Sequence, residues 1–103
     1  MKKVIDRKRY DTEKAELIGE YSFSNPSDFN YVSEGLYVTK SGNYFLAGEG
    51  GAMSKYRETV DQNTWSGGED IIPMSKEEAL EWAEQNLSAD DIEKYFPDDI
   101  DDA

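Results

Sequence analysis

Neither cysteine nor histidine occurs among the 103 residues of this chain. The missing cysteines exclude disulfides, thiolate metal sites and thiol nucleophiles. The missing histidines exclude Ser-His-Asp arrangements and imidazole metal ligands. We therefore expect no cofactor and no bound metal.

Long apolar runs are also lacking. No stretch approaches the roughly 20 consecutive apolar residues that span a bilayer. The N-terminus is basic, as in a signal peptide, but no apolar segment follows it. The sequence thus predicts a soluble, cytoplasmic protein that does not contact membranes.

Bases are scarce in the last third of the chain, which is strongly acidic. Residues 69–103 contain thirteen carboxylates and two lysines, and they carry −11 of the formal net charge of −12. The first fourteen residues have the opposite sign, with a net charge of +3. Such polarity repels nucleic acid and anionic membranes. It attracts proteins with a basic working surface, many of which bind nucleic acid.

The length of the chain allows one domain with a single modest core. Only 37% of the residues are hydrophobic, but 13% are aromatic and supply large areas for burial. We predict one domain over residues 1–97. The remaining residues 98–103, DDIDDA, are predicted to form a frayed acidic tail.

Three segments predict β-strands. Residues 3–10 indicate two short strands around a turn at Asp6-Arg7. Residues 35–47 carry aromatic and aliphatic side chains at both parities around a glycine-containing turn and predict a hairpin. Ile71-Ile72 is predicted as a short buried strand that ends at Pro73.

Three segments are predicted to form helices, at about residues 12–21, 75–87 and 89–96. The first follows Asp11, a suitable N-cap, and carries an approximate apolar stripe. The second begins with a capping box formed by Ser75 and Glu78. The third is capped by Ser88 and ended by Pro97. Together these elements predict an α+β fold, in which a small antiparallel β-sheet packs against about three helices.

Several possible ligand or catalytic sites lack the required pattern. The glycines of residues 48–51 do not have the spacing of a nucleotide-binding loop and indicate a tight exit from the hairpin. The aspartates of the tail lack the glycine turn and the distant glutamate of a calcium loop. A glycosidase needs a pair of carboxylates, but with 23 acidic residues any pair could be chosen, so their presence is not specific evidence for such a site. We therefore predict no enzymatic activity.

The N-terminal bases could contact nucleic acid. They stand on a molecule with a net charge of −12, so pairing with its own acids or with an acidic patch on a partner is favoured. We interpret them as a solvated hairpin edge and predict no direct binding of nucleic acid.

The acidic helices are the candidate site for binding a partner. Glu77, Glu81 and Glu84 recur on one helix face, where like charges cost a few tenths of a kcal/mol per pair. A surface selected only for solubility would normally mix charges of both signs. The predicted partner-binding residues are Glu77, Glu78, Glu81, Glu84, Asp90, Asp91, Glu93, Asp98 and Asp99.

One acidic helix alone is too sparsely charged to imitate DNA. Duplex DNA presents one negative charge per about 1.7 Å of its axis. The helix over residues 75–87 is roughly 20 Å long with a net charge of −3, or one charge per about 6.5 Å. Mimicry therefore requires Glu69, Asp70, the second acidic helix and the tail to converge on the same face.

Three stretches carry a resemblance to known proteins: KVIDRKRYDTEKAELI (Lys3–Ile18), LYVTKSGNYFLAGEGGAMSKY (Leu36–Tyr56) and GGEDIIPMSKEEALEWAEQNL (Gly67–Leu87). In order and spacing they resemble a family of small acidic proteins from phages and bacterial mobile elements. That family includes anti-CRISPR proteins of type I systems. The shared residues look like determinants of the fold, so the resemblance transfers no binding residues.

The resemblance implies a non-enzymatic inhibitor that binds a CRISPR effector complex in a bacterial host cell and blocks target DNA. The first hypothesis is accordingly a monomeric anti-CRISPR protein with an acidic, DNA-mimicking surface. A second is an immunity protein or antitoxin that neutralises a basic nuclease or toxin. A third is an accessory mobile-element protein whose charge serves only solubility.

Overall fold

A computed structural model describes all 103 residues and contains more strand than helix. The strands are β1 (Lys2–Ile5), β2 (Lys8–Asp11), β3 (Glu16–Phe23), β4 (Val32–Val38), β5 (Tyr44–Gly50), β6 (Glu58–Asp61), β7 (Thr64–Ser66) and β8 (Gly68–Met74). The helices are α1 (Lys76–Asn86) and α2 (Ala89–Tyr95), and a 3-10 turn follows at Pro97–Asp99.

The central element is a four-stranded antiparallel sheet in the order β3-β4-β5-β8. β1 pairs with β2, and β6 pairs with β7, as separate two-stranded hairpins. The fold is therefore α+β, with antiparallel sheets and two α-helices. The prediction of about three helices is wrong.

The helices cover one face of the central sheet. Alternation along β4 and β5 directs Leu36 and Leu46 into a core that α1 and α2 close. Ala79 and Ala83 are fully buried, and their small side chains let α1 approach the sheet closely. Phe96, after α2, stacks on Tyr44 with ring centroids 5.5 Å apart.

The β1–β2 hairpin covers the other face. Tyr10 of β2 meets Phe45 of β5 edge-on, with ring centroids 5.4 Å apart, and Tyr37 stacks on the same ring at 5.2 Å. Ile71 of β8 completes this second core. The sheet thus has an apolar core on each side, which explains why aromatic residues occur at both parities of the predicted hairpin.

The predicted β-hairpins are confirmed. Asp6 and Arg7 both have positive φ, 51° and 64°, as a two-residue hairpin turn requires. The loop between β4 and β5 contains Gly42 at a φ of 85°. The strands of this second hairpin extend further than predicted, from Val32 to Gly50.

The predicted helix over residues 12–21 is wrong. After Asp11 the chain makes a single turn, in which the Ala15 amide donates to the Asp11 carbonyl at 3.0 Å, and it then enters β3. Gly19 weakens a helix interior by about 1 kcal/mol relative to alanine. Pairing of β3 with β4 at seven registered positions and burial of Ile18 outweigh the imperfect apolar stripe.

Two further segments are more extended than predicted. β8 continues through Pro73 because it is an edge strand, and the pairing alternation places the proline nitrogen on the side away from β5. The predicted strand at Ile71-Ile72 also begins earlier, because β8 starts at Gly68, directly after β7. The β6–β7 hairpin turns at Asn63, which has a φ of 67°.

Gly48 permits the segment after β5 to pack directly on the sheet. A Cβ at this position would lie 2.2 Å from both Cζ and the hydroxyl oxygen of Tyr56. Tyr56 is buried and its hydroxyl is bonded to Glu34, so withdrawal of the ring would break that bond. The glycine cluster therefore serves close packing at the exit from the β4–β5 hairpin.

We predict that Gly48→Ala lowers the free energy of unfolding by about 2 kcal/mol, because it overpacks a rigid site. Urea unfolding followed by circular dichroism measures the loss. Ser41→Ala, in the exposed β4–β5 loop, is the control and should change stability by less than about 0.5 kcal/mol. In a Tyr56→Ala background, Gly48→Ala should cost little; an undiminished cost there would contradict the explanation.

Candidate functional site

α1 begins with the predicted capping box. The Ser75 hydroxyl accepts a hydrogen bond from the Glu78 amide at 3.1 Å, and Glu78 Oε1 accepts one from the Ser75 amide at 2.9 Å. Hydrogen bonds from the Ser75 amide and side chain to the carboxylate hold the pKa of Glu78 below its usual value. Glu78, a predicted contact residue, is therefore engaged in the cap of its own helix.

Glu77, Glu81 and Glu84 form an exposed line along α1. The opposite side of the helix is buried at Ala79 and Trp82, among others, and spacings of four and three residues keep the three glutamates together. None of them makes an ion pair, and no base occurs in the last turn of α1. Their charges are therefore available to a partner.

α2 adds a second set of acids. Asp90 and Asp91 lie in its first turn, where negative charge suits the helix dipole, and the Ser88 hydroxyl accepts from the Asp91 amide at 3.3 Å. Asp91 is partly buried, whereas Asp90 and Glu93 are exposed. The predicted cap at Ser88 is thus confirmed.

Acids from α1, α2 and the C-terminal segment converge around a small open depression of about 370 Å³. Its apolar contribution includes Ile92 and Ile100, and its acidic residues are Glu84, Glu93, Asp99 and Asp101. We call the exposed line of α1 together with these four residues the acidic helix surface. Asp101 was missing from the predicted set, because its place depends on how the chain turns after α2.

An ion pair attaches the C-terminal segment to the first turn of α1. Lys76 Nζ lies 2.8 Å from Asp99 Oδ2, and this contact raises the pKa of Lys76. Part of the Asp99 charge is therefore balanced within the molecule. Asp98, the other predicted contact in this segment, is exposed and makes no ion pair.

Glu69 and Asp70 do not join the acidic helix surface. They lie at the start of β8, opposite Glu49 and Gly48 of β5, whereas α1 begins beyond the other end of β8. Asp70 Oδ1 accepts from Lys3 at 2.6 Å, which lowers the pKa of Asp70. The convergence that DNA-like charge density requires is therefore partial, with two helices and the C-terminal segment but without β8.

A buried carboxylate fixes α1 to the sheet. Glu34 of β4 is only 5% exposed, and Trp82 Nε1 donates to its Oε1 at 3.2 Å. The Tyr56 hydroxyl donates to Oε2, and Lys55 Nζ pairs with the same oxygen, both at 2.5 Å. Trp82 follows Glu81 directly, so this network sets the rotation of α1 and the outward direction of its glutamates. The Trp82 ring itself lies within the core.

The network also sets the protonation of Glu34. Burial alone would raise its pKa, but the hydrogen bonds from Lys55, Tyr56 and Trp82 outweigh burial and lower the pKa below the usual value of 4.5. Burial and the contact with Glu34 raise the pKa of Tyr56. Glu34 therefore binds a proton less readily in the folded state, and its stabilising contribution is lost as pH falls through the folded pKa.

Comparison with models of protein families, with curated proteins and with solved structures finds no match to this chain. No group of three acidic residues is arranged to hold a metal ion. None of the helices combines the length and the apolar character needed to cross a membrane.

We predict that Glu34→Gln lowers the free energy of unfolding near neutral pH by about 2 kcal/mol, the usual loss for charged hydrogen bonds. The deficit should shrink below pH 4.5, where the wild-type carboxylate also becomes protonated. Urea unfolding at a series of pH values measures both effects. Glu13→Gln, at an exposed residue, is the control and should follow the wild type. If the free energies of unfolding of the wild type and Glu34→Gln ran parallel with pH, a charged Glu34 would not be the source of the stabilisation.

Proposed function

We propose that this protein is a non-enzymatic inhibitor that uses the acidic helix surface to bind a basic, nucleic-acid-binding protein. The observation that carries the proposal is the convergence of carboxylates from α1, α2 and the C-terminal segment, of which only Asp99 makes an ion pair. The sequence resemblance supports a CRISPR effector complex of a type I system as the partner. On this proposal the protein is an anti-CRISPR protein of a phage or mobile element.

The inhibitory mechanism is competitive exclusion. Carboxylates of the acidic helix surface pair with lysine and arginine side chains that otherwise hold DNA phosphates. Because α1 alone is less densely charged than DNA, apolar contacts are expected to supplement the ionic ones. Ile92 and Ile100 provide apolar contacts for the aliphatic stems of those basic side chains.

Solubility alone explains this arrangement less well. From Ser75 to the C-terminus, eleven carboxylates face two lysines, and one of those lysines is already paired with Asp99. Repulsion among the remaining acids lowers the stability of the free protein. Contact with a basic partner removes that repulsion, so binding recovers the stability that the free protein loses.

We predict that the double variant Glu81→Lys/Glu84→Lys binds the effector at least about a hundredfold more weakly, because like charges would then face the basic partner. Competition with labelled target DNA for the purified effector measures this change. The matched control Glu13→Lys/Glu20→Lys reverses two exposed charges away from both helices and should bind nearly as the wild type does.

Three outcomes separate the alternatives. Equal weakening by both double variants would contradict a defined binding surface, and simultaneous binding of DNA and inhibitor would contradict competition. Retrieval of one small basic protein from a host lysate, in place of an effector, would favour the immunity-protein or antitoxin function. The melting temperature of Glu81→Lys/Glu84→Lys should be at least as high as that of the wild type. This result would exclude misfolding as the cause of its weaker binding.

We also predict a steep dependence of affinity on salt. Binding should weaken by at least about tenfold between roughly 50 and 200 mM NaCl, because the contacts are ionic and exposed. The Glu81→Lys/Glu84→Lys variant should show a shallower dependence, while Glu13→Lys/Glu20→Lys keeps the wild-type slope. Affinity that is insensitive to salt would contradict binding through the acidic helix surface.

A further inference from the structure

A second open groove, of about 700 Å³, lies at the end of the central sheet where β5 finishes and β8 begins. One wall comes from the loop between β3 and β4, and the other from the β6–β7 hairpin. Glycines at the ends of β5 and β8 form its floor. None of its lining residues belongs to α1, α2 or the C-terminal segment, so it is separate from the acidic helix surface.

The walls of this groove carry exposed aromatic rings. Phe29 is 70% exposed and Trp65 is 46% exposed, although rings of this size are usually buried. The wall is fixed by backbone hydrogen bonds, since the Gly51 amide donates to the Tyr31 carbonyl at 2.9 Å and the Met53 amide donates to the Phe29 carbonyl at 2.7 Å. The Phe29 ring is therefore presented by a hydrogen-bonded framework.

Two glycines allow the floor and the walls of the groove to approach each other closely. A Cβ at Gly51 would lie 2.6 Å from the Phe29 carbonyl oxygen, and one at Gly67 would lie 2.7 Å from the Gly50 carbonyl oxygen. These neighbours are backbone atoms, which cannot withdraw without moving the wall. The shape of the groove thus depends on glycine at both positions.

Unpaired carboxylates border the aromatic walls. Glu49 of β5 and Glu69 of β8 are directly opposite each other in the sheet register, an arrangement that destabilises a sheet. Glu58 also lines the groove, and none of the three makes an ion pair. Nearby Lys3 and Lys55 are bound to other acids, at Asp70 and Glu34.

The Trp65 ring already contacts a cationic side chain of the same molecule. The guanidinium carbon of Arg57 lies 5.7 Å from the centre of its ring, within the range of a cation–π interaction. The Tyr31 hydroxyl donates to Glu49 Oε1 at 3.2 Å and orients that carboxylate at the groove. Flat rings beside oriented carboxylates match a planar guanidinium, which stacks and forms two hydrogen bonds at once.

We propose that this groove binds an arginine side chain in an extended segment of a partner protein. The guanidinium stacks against Phe29 and the face of Trp65 that Arg57 leaves open, and it pairs with Glu49 and Glu69. Charge complementarity selects this occupant, since the groove combines an unrelieved pair of opposed glutamates with exposed aromatic surface. The inference does not depend on the proposed function, because it uses different residues and requires only an accessible arginine in the partner.

Titration of the full-length, 15N-labelled protein with the peptide acetyl-Gly-Arg-Gly-amide tests the proposal. Saturable shifts are expected at the Trp65 indole N–H and at the amides of Gly50 and Gly68. The same peptide with citrulline, which keeps the shape and loses the charge, should bind at least about tenfold more weakly. Equal binding of the two peptides would overturn the proposal, as would shifts spread over α1 and α2.

Variants separate recognition from a structural role. Glu69→Gln should weaken peptide binding by about threefold or more and raise the melting temperature, because it relieves the repulsion with Glu49. A purely structural role for Glu69 would instead lower the melting temperature and leave binding unchanged. Trp65→Ala should abolish the shifts of the Gly50 and Gly68 amides. The amide signals of its core residues show whether this variant remains folded. Glu81→Gln, on the acidic helix surface, is the matched control and should bind the peptide as the wild type does.

Discussion

One buried carboxylate joins three parts of this molecule that are distant in the sequence. Glu34 of β4 receives the Trp82 indole of α1 and the Tyr56 hydroxyl and Lys55 ammonium of the segment after β5. A buried charge that loses a partner costs several kcal/mol, so strand, segment and helix depend on one another. Gly48 belongs to the same unit, because only its missing side chain lets Tyr56 reach Glu34. The outward direction of the α1 glutamates therefore rests on an interaction inside the protein.

The sheet separates the charges of the chain. The basic β1–β2 hairpin covers one face and the acidic helices cover the other, each over its own apolar core. Few contacts balance the two signs, since the three ion pairs are Lys3–Asp70, Lys55–Glu34 and Lys76–Asp99. The two faces of the sheet therefore differ in the sign of their charge, and such an uneven field orients any charged molecule that approaches.

Local signals in the sequence predicted local structure well. The capping box at Ser75, the cap at Ser88 and the β4–β5 hairpin each depend on residues a few positions apart, and all three are present. Residues 12–21 were assigned to the wrong class because pairing with β4 is invisible within that window. The Trp82–Glu34 contact spans 48 residues, and the aromatic groove combines three separated segments. Such contacts depend on topology, which composition and periodicity do not specify.

The β8 edge of the central sheet is poorly suited to recruiting a further strand. An open β-edge normally offers a row of backbone donors that invites edge-to-edge polymerisation. Here the outward-facing donor of Ile71 is occupied by the Asp70 side chain at 2.8 Å, and Pro73 has no donor to offer. Two of the three outward positions along β8 are thereby blocked. Backbone chemistry thus protects the β8 edge of the central sheet against edge-to-edge pairing, without enlarging the sheet.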